Sequence, residues 1–128
     1  RRYLEVLAEG RGPSLVNCMA GKDRTGIAVA MVQLAAGVHR DDVIADYLLT
    51  NSAGDVEARI AAGASSIRAV SKQLDPEVLR VLMGVEAEWL EAAFAMITEK
   101  HGSIDGYLRD VLGADYDLRG RLREHLVE

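Results

Sequence analysis

The sequence predicts an α/β fold, a central sheet flanked by helices, to which these 128 residues contribute mostly helices. Two observations support this prediction. Ser14-Leu15-Val16 is a short apolar run typical of a buried strand, and helical patterns occupy most of the remaining chain. A single buried strand would leave its backbone donors and acceptors unpaired. We therefore expect a second polypeptide or a further segment to supply the remaining strands.

The helices are predicted from apolar spacing and from the residues at their boundaries. Gly10 and Gly37 are expected to end the first two helices, and Asp75-Pro76 is a capping residue followed by proline at the first helical position. The predicted helical ranges are 1–9, 25–36, 41–51, 55–73, a helix from residue 76, 86–100, 104–112 and 116–127.

The pattern within these helices also predicts the core. Helix 25–36 is almost wholly apolar and is expected to be a buried central helix. Tyr47 is expected to be a core aromatic residue. One face of helix 86–100 is expected to face the core and not a ligand; its apolar residues are Trp89, Leu90, Ala93, Phe94 and Ile97.

The chain's only cysteine lies in the segment Val16-Asn17-Cys18-Met19-Ala20-Gly21-Lys22-Asp23-Arg24-Thr25-Gly26. A loop of the length from Cys18 to Arg24 can point successive backbone N–H groups at a bound dianion, and a helix beginning near Arg24 adds the positive end of its dipole. Gly21 allows a turn that a Cβ would obstruct. Arg24 can donate two parallel hydrogen bonds to phosphate oxygens. The spacing predicts a phosphate-binding loop.

The same loop predicts nucleophilic chemistry at Cys18. A free thiol has a pKa of about 8.5, and a helix N-terminus with nearby cations lowers it to roughly 3.5 to 7.5. The hydroxyl of Thr25 can reach back toward the sulfur and stabilise the thiolate when it leaves a phosphoryl intermediate. A lone cysteine is usually a buried core residue, but Arg24, Thr25 and the two glycines at these spacings favour covalent catalysis.

These residues resemble the protein tyrosine phosphatase superfamily, whose signature is the pattern from Cys18 to Thr25. The longer match, Cys-x-Ala-Gly-Lys-Asp-Arg-Thr-Gly, is similar to bacterial tyrosine and phosphoinositide phosphatases, a group that includes secreted mycobacterial enzymes. Residues 44–51 and 107–113 also resemble segments of that group. The resemblance implies that residues 1–128 are the C-terminal part of a single cysteine-phosphatase domain, and that helix 55–73 is a lid over the active site.

Residue roles are carried over from the same resemblance. It implies that Cys18 is the nucleophile and Arg24 the phosphate clamp. The backbone cradle consists of Met19, Ala20, Gly21, Lys22, Asp23 and Arg24. The superfamily usually has histidine before the cysteine, whereas this chain has Asn17, whose amide can donate a hydrogen bond but cannot ionise.

Two charged residues of the loop have open roles. Lys22 is expected at the rim of the pocket, where its long side chain could meet a second substrate phosphate; the alternative is a solvated side chain with no role in binding. Asp23 is either a general acid toward the leaving alcohol, which requires a raised pKa, or an ion-pairing organiser of the loop.

The expected function is phosphomonoester hydrolysis through a cysteinyl-phosphate intermediate, on protein phosphotyrosine and on phosphoserine, phosphothreonine or phosphoinositides. No metal or cofactor is required. The alternative is a phosphate-binding module or inactive fragment that captures phosphorylated ligands without turnover. A nucleotide-binding loop is disfavoured because Val16 replaces its glycine and Asp23 its magnesium-binding hydroxyl. Rhodanese-like sulfur transfer is disfavoured by the arginine placed for a phosphate dianion.

Composition excludes several other classes. The net charge of −5 argues against general nucleic-acid binding. His39, His101 and His125 have no partners at metal-ligand spacing, which predicts no metal site. The longest apolar run, 26–38, is too short to span a bilayer, and no targeting segment is recognised. One cysteine and no disulfide framework fit a reducing compartment, so both the cytoplasm and secretion into a host cytosol remain open.

Overall fold

The computed structural model describes residues 1–68 and 75–127, and within these ranges the chain forms helices and no strand. The helices are α1 Arg2–Ala8, α2 Asp23–Ala36, α3 Arg40–Leu48, α4 Val56–Arg68, α5 Pro76–Met83, α6 Ala87–His101, α7 Ile104–Gly106 and α8 Tyr116–Leu126. A 3₁₀ turn, Leu49–Asn51, extends α3, and a π-helical turn, Tyr107–Val111, extends α7.

The helix boundaries follow the signals in the sequence. Gly37 adopts φ +92° after α2, and its N–H donates to the carbonyl groups of Gln33 and Leu34, as expected of a left-handed C-cap. Asp75 Oδ1 accepts the Glu77 N–H at 2.9 Å, so α5 begins at the predicted proline. Helix α2 begins at Asp23, two residues before the predicted start. Residues 69–73 of the predicted helix 55–73 lie outside the described residues.

The core is formed where α2 packs against α3, α6 and α8, while α1 packs on α8. Leu90, Val43 and Leu122 are among the most deeply buried side chains. The other buried residues of the core are Leu4, Ala8, Ala30, Met31, Ala35, Ala36, Tyr47, Val85, Phe94, Leu108, Ala114 and Leu118. The prediction that Tyr47 is a core aromatic is confirmed. Helix α2 is thus held on several sides, and its N-terminus is fixed where the predicted loop ends.

The prediction of a buried strand at residues 14–16 is wrong for the described chain. This segment is irregular, and the Leu15 side chain is 91% exposed. A strand is stabilised by its ladder of hydrogen bonds, and no described residues offer a partner strand. The central sheet therefore remains a prediction. Helix α2 is likewise only partly buried, since Ile27 is exposed on its surface.

The apolar face of α6 is divided. Leu90 and Phe94 are buried as predicted, whereas Trp89 is 42% exposed and does not belong to the core. Successive helical residues lie about 100° apart around the axis, so Trp89 lies at the edge of the apolar face and Leu90 at its centre. The prediction for Trp89 was wrong, and its actual contact is with the predicted phosphate loop.

A pair of hydrogen bonds closes the base of the segment that contains α4 and α5. The Asn51 side-chain amide donates to the Val85 carbonyl at 2.8 Å, and its oxygen accepts the Val85 N–H at 2.9 Å. Residues 51 and 85 are therefore neighbours although 33 residues separate them in sequence. Helices α4 and α5 pack on each other. A cavity of about 310 Å³ lies between them and this base.

Candidate active site

The predicted loop connects the irregular segment after α1 to the first turn of α2. Lys22 is the residue immediately before the helix, and Asp23, Arg24 and Thr25 form its first turn. Gly21 adopts φ +71°, a left-handed conformation that residues with a Cβ rarely adopt. A Cβ at Gly21 would meet no atom within 4 Å, so the backbone conformation and not crowding explains the glycine.

Cys18 lies beside Thr25, as the sequence predicts. The Cys18 backbone N–H donates to Thr25 Oγ1 at 2.9 Å, a contact that joins the two ends of the loop. The Thr25 hydroxyl and, after it, the Thr25 backbone N–H are the main causes that lower the pKa of the Cys18 thiol from an ordinary 9.0 to about 6. Partial burial opposes this change, and the N–H groups of Gly21 and Ala20 add to it. The half-exposed thiol is therefore largely a thiolate at neutral pH.

Most residues of the predicted cradle are open to solvent. Met19 is 92% exposed, and Ala20 and Gly21 are also exposed. The Arg24 guanidinium is exposed and makes no hydrogen bond or ion pair with the described residues. A phosphate in the loop would meet the α2 N-terminus and the guanidinium without first displacing an acidic partner from Arg24.

Lys22 and Asp23 form an ion pair at the start of α2. Lys22 Nζ lies 2.8 Å from Asp23 Oδ1, and the Lys22 side chain is only 11% exposed. The same ammonium lies 5.0 Å from the centre of a Trp89 ring. Lys22 was predicted at the pocket rim, and its ammonium is paired with Asp23 and covered by the Trp89 ring. The contact between Lys22 and Asp23 is the ion pair that the sequence allowed for Asp23.

Helices α2 and α3 meet tightly behind the loop. Gly26 faces the Tyr47 ring so closely that a Cβ would lie 2.5 Å from Cε2. Burial raises the pKa of the Tyr47 hydroxyl, and the Asp23 carboxylate raises it further. Gln33 Nε2 donates to Asp46 Oδ2 at 2.8 Å between the same two helices. A cavity of about 120 Å³ lies here, lined by Gly21, Lys22, Thr25, Gly26, Val29, Gln33, Val43, Asp46, Tyr47 and Thr50.

Two contacts of the loop go beyond the sequence analysis: a hydrogen bond of Asn17, which was predicted only in general form, and the contact with Trp89, which was not predicted. The Asn17 side-chain amide donates to the Cys18 carbonyl at 3.3 Å, a local bond between adjacent residues of the loop. The Trp89 contact was missed because apolar spacing alone cannot distinguish the edge of a core face from its centre. The signal available in the sequence was an aromatic residue at that edge together with a lysine in the loop, a pair that can form a cation–π contact.

Within residues 1–68 and 75–127, no group of three or more His, Cys, Asp or Glu side chains has the geometry to hold a metal ion. No helix in the same ranges is both long enough and apolar enough to cross a bilayer.

The whole chain, residues 1–128, matches the family model described as the tyrosine phosphatase family. The chain belongs to the tyrosine phosphatase family. The resemblance stated from the loop sequence is thereby confirmed, and the match extends over the helices on both sides of the loop.

Individual relatives in this family come from several bacteria. The chain is 43% identical over 118 residues to the triple specificity protein phosphatase PtpB of Mycobacterium tuberculosis, a match of 85% of this chain and 42% of the relative. It is 38% identical over 126 residues to a protein named as a tyrosine-protein phosphatase in Cupriavidus necator, 93% of this chain and 45% of that protein. It is 25% identical over 114 residues to a tyrosine-protein phosphatase of Nostoc commune, 85% of this chain and 37% of that protein. The chain spans less than half the length of each of these relatives.

Proposed function

We propose that this protein hydrolyses phosphomonoesters through a cysteinyl-phosphate intermediate on Cys18. The observation that carries the proposal is the environment of that thiol. Its pKa of about 6 makes it a thiolate near neutral pH, and its loop leads into the N-terminus of α2, where an anion is stabilised. Family membership supports the same chemistry.

The first step is displacement at phosphorus. The Cys18 sulfur attacks with its lone pair, the S–P bond forms, and the bond between phosphorus and the ester oxygen breaks. The bonding pair leaves with that oxygen, which takes a proton from a general acid. Arg24 and the loop N–H groups stabilise the three equatorial oxygens, on which negative charge is held throughout.

The second step is hydrolysis of the intermediate. Water attacks the phosphorus, the O–P bond forms and the S–P bond breaks, so inorganic phosphate leaves and the thiolate is restored. Thr25 lies where it stabilises that thiolate, since its hydroxyl is the main cause of the lowered pKa of Cys18. A base is needed to take the proton of the attacking water, and the acid of the first step, now deprotonated, fulfils this role.

Asp23 is the carboxylate nearest in sequence to the reacting groups. Its ion pair with Lys22 supports an organising role, whereas a general acid must carry a proton when the ester bond breaks. We assign Asp23 the organising role in the state described here. A general acid from outside these residues is compatible with a chain that spans under half the length of its relatives.

The proposed substrates are protein phosphotyrosine and, more broadly, phosphoserine, phosphothreonine and phosphoinositides. The breadth is supported by the name of the mycobacterial relative, a triple specificity phosphatase. The exposed loop supports it too, because Met19 and Arg24 lie at the surface and not in a deep slot. The α4 segment remains a proposed lid, positioned by the contact between Asn51 and Val85.

A phosphate-binding module without turnover is the second candidate. It is favoured by Asn17, whose amide cannot ionise and binds the neighbouring carbonyl.

Phosphate release from p-nitrophenyl phosphate, measured over time with reductant and without added metal, separates the two candidates. The variants are Cys18→Ser and, as a matched control at the exposed surface before the loop, Ser14→Ala. We expect many turnovers in the parent and the control and none in Cys18→Ser. Rapid acid quenching should also leave one phosphoryl group on the Cys18 peptide. Vanadate binding without release of phosphate by any of the proteins would establish the binding module instead.

A further inference from the structure

Three side chains meet at the end of the phosphate loop. The Lys22 ammonium lies 2.8 Å from the Asp23 carboxylate and 5.0 Å from the centre of the Trp89 ring. Only 11% of the Lys22 side chain is exposed, although lysine is among the residues least often buried. Trp89 belongs to α6, so this contact connects a distant helix to the loop.

The arrangement holds Lys22 in one position. An ammonium within about 6 Å of an indole centre is attracted by the ring, and more strongly when water is excluded. Fixing a lysine side chain costs conformational entropy, which these contacts must offset. An ammonium already paired with Asp23 and covered by Trp89 has less capacity for a further anion.

We propose that Trp89 is a positioning residue that, together with Asp23, sequesters the Lys22 ammonium and thereby disfavours a second phosphate group on the substrate. The inference rests on the proposed function, because it concerns which phosphorylated ligands the same loop selects. A ligand with one phosphate uses the loop and Arg24 alone. A ligand with two phosphates can use Lys22 only after displacing Asp23 and moving the ammonium from the indole face.

The expected effect of removing the indole follows from this competition. In Trp89→Leu the ammonium loses its aromatic partner and is freed for a second phosphate. The preference for a doubly over a singly phosphorylated ligand should therefore rise by about threefold to tenfold, the range that loss of one cation–π contact predicts. Trp89→Phe keeps an aromatic face and should give a smaller rise. With Lys22→Met in place, Trp89→Leu should have no effect on this preference.

The test measures binding of inositol monophosphate and inositol bisphosphate to the whole protein carrying Cys18→Ser, so that no ligand is consumed. Trp89→Leu, Trp89→Phe and Lys22→Met are compared singly, and the leucine and methionine substitutions also together. Met96→Ala is the control, because Met96 is an exposed apolar residue on the same helix. The two-by-two comparison isolates the coupling between residues 22 and 89 from any general loosening of the loop.

A spectroscopic signal tests the contact directly. Trp89 is the only tryptophan in this sequence, and the difference between parent and Trp89→Phe isolates its emission in any longer form of the protein. Inositol bisphosphate should change that emission, inositol monophosphate should change it less, and Lys22→Met should abolish the difference.

Two results would overturn the inference: an unchanged ligand preference in Trp89→Leu, or an equal change with and without Lys22. Both concern binding alone, so they are distinct from a failure of turnover, which would overturn the proposed hydrolysis while leaving the test of Trp89 intact.

Discussion

Replacing Thr25 by valine should raise the pKa of Cys18 by about one pH unit, because the hydroxyl that stabilises the thiolate is lost while the shape of the side chain is kept. Four hydrogen bonds lower this pKa, and the net change is from 9.0 to about 6. The hydrogen bond from the Thr25 hydroxyl makes the largest contribution. The largest of four contributions must exceed a quarter of the total. A quarter of this change is roughly 0.75 pH units, so a rise of about one pH unit is the expected size.

The assay is the rate at which Cys18 reacts with dithiodipyridine across the pH range. Thiolate fraction governs the rate at low pH, whereas a thiolate of higher pKa is the stronger nucleophile once ionised, with a Brønsted coefficient of about 0.4–0.5. Thr25→Val should therefore react about threefold more slowly at pH 5 and about threefold faster at pH 9, with the two curves crossing between about pH 6 and 7. Thr25→Ser retains the hydroxyl and should follow the parent.

The crossing is the decisive feature of this experiment. If the curves for the parent and Thr25→Val coincide, or differ by a constant factor at all pH values, the Thr25 hydroxyl does not set the pKa of Cys18.

The lowered pKa of Cys18 also makes the stability of the folded protein depend on pH. Ionisation of Cys18 favours the folded protein fully above pH 9.0, and this contribution is lost as the pH falls through about 6. Cys18→Ser should remove that pH dependence from the free energy of unfolding.

Two further substitutions test the packing. Asn51→Ala leaves the Val85 N–H and carbonyl without their partner, so it should lower the free energy of unfolding, measured in urea, by about 1–3 kcal/mol. The control is Ser52→Ala at the neighbouring exposed position, which should change this free energy little. Equal effects of the two would show that the Asn51 bonds contribute nothing. Gly26→Ala places a Cβ 2.5 Å from the Tyr47 ring and should destabilise the folded protein by about 1–3 kcal/mol. Gly120→Ala, in α8 with open space around it, should instead stabilise the folded protein by about 0.5–1 kcal/mol. Thermal unfolding of both glycine variants checks this difference in sign.

The helices and the loop were predictable because their signals are local. Gly37 caps α2 and Asp75 begins α5 through contacts within a few residues, and the spacing from Cys18 to Thr25 determines which groups can meet around an anion. The local sequence was therefore sufficient to predict a thiol of lowered pKa without knowledge of the surrounding fold.

The predictions that failed depend on partners distant in sequence. Ser14-Leu15-Val16 has the composition of a strand, but a strand exists only when another strand pairs with it. Trp89 has the spacing of a core residue, and only the approach of α6 to the loop shows that its partner is Lys22. The contacts of the Lys22 side chain could not be predicted for a further reason: a long flexible side chain has many rotamers, and local sequence does not choose among them.

The contact between Asn51 and Val85 makes the α4–α5 segment a removable module. Its two ends emerge side by side from the core, so a short linker could replace it without rerouting the chain, and the entropy of closing a loop grows only slowly with its length. Long and short versions of this segment are therefore both compatible with the same thiol chemistry. Selection can therefore alter this segment while the core and the Cys18 loop that it supports stay unchanged.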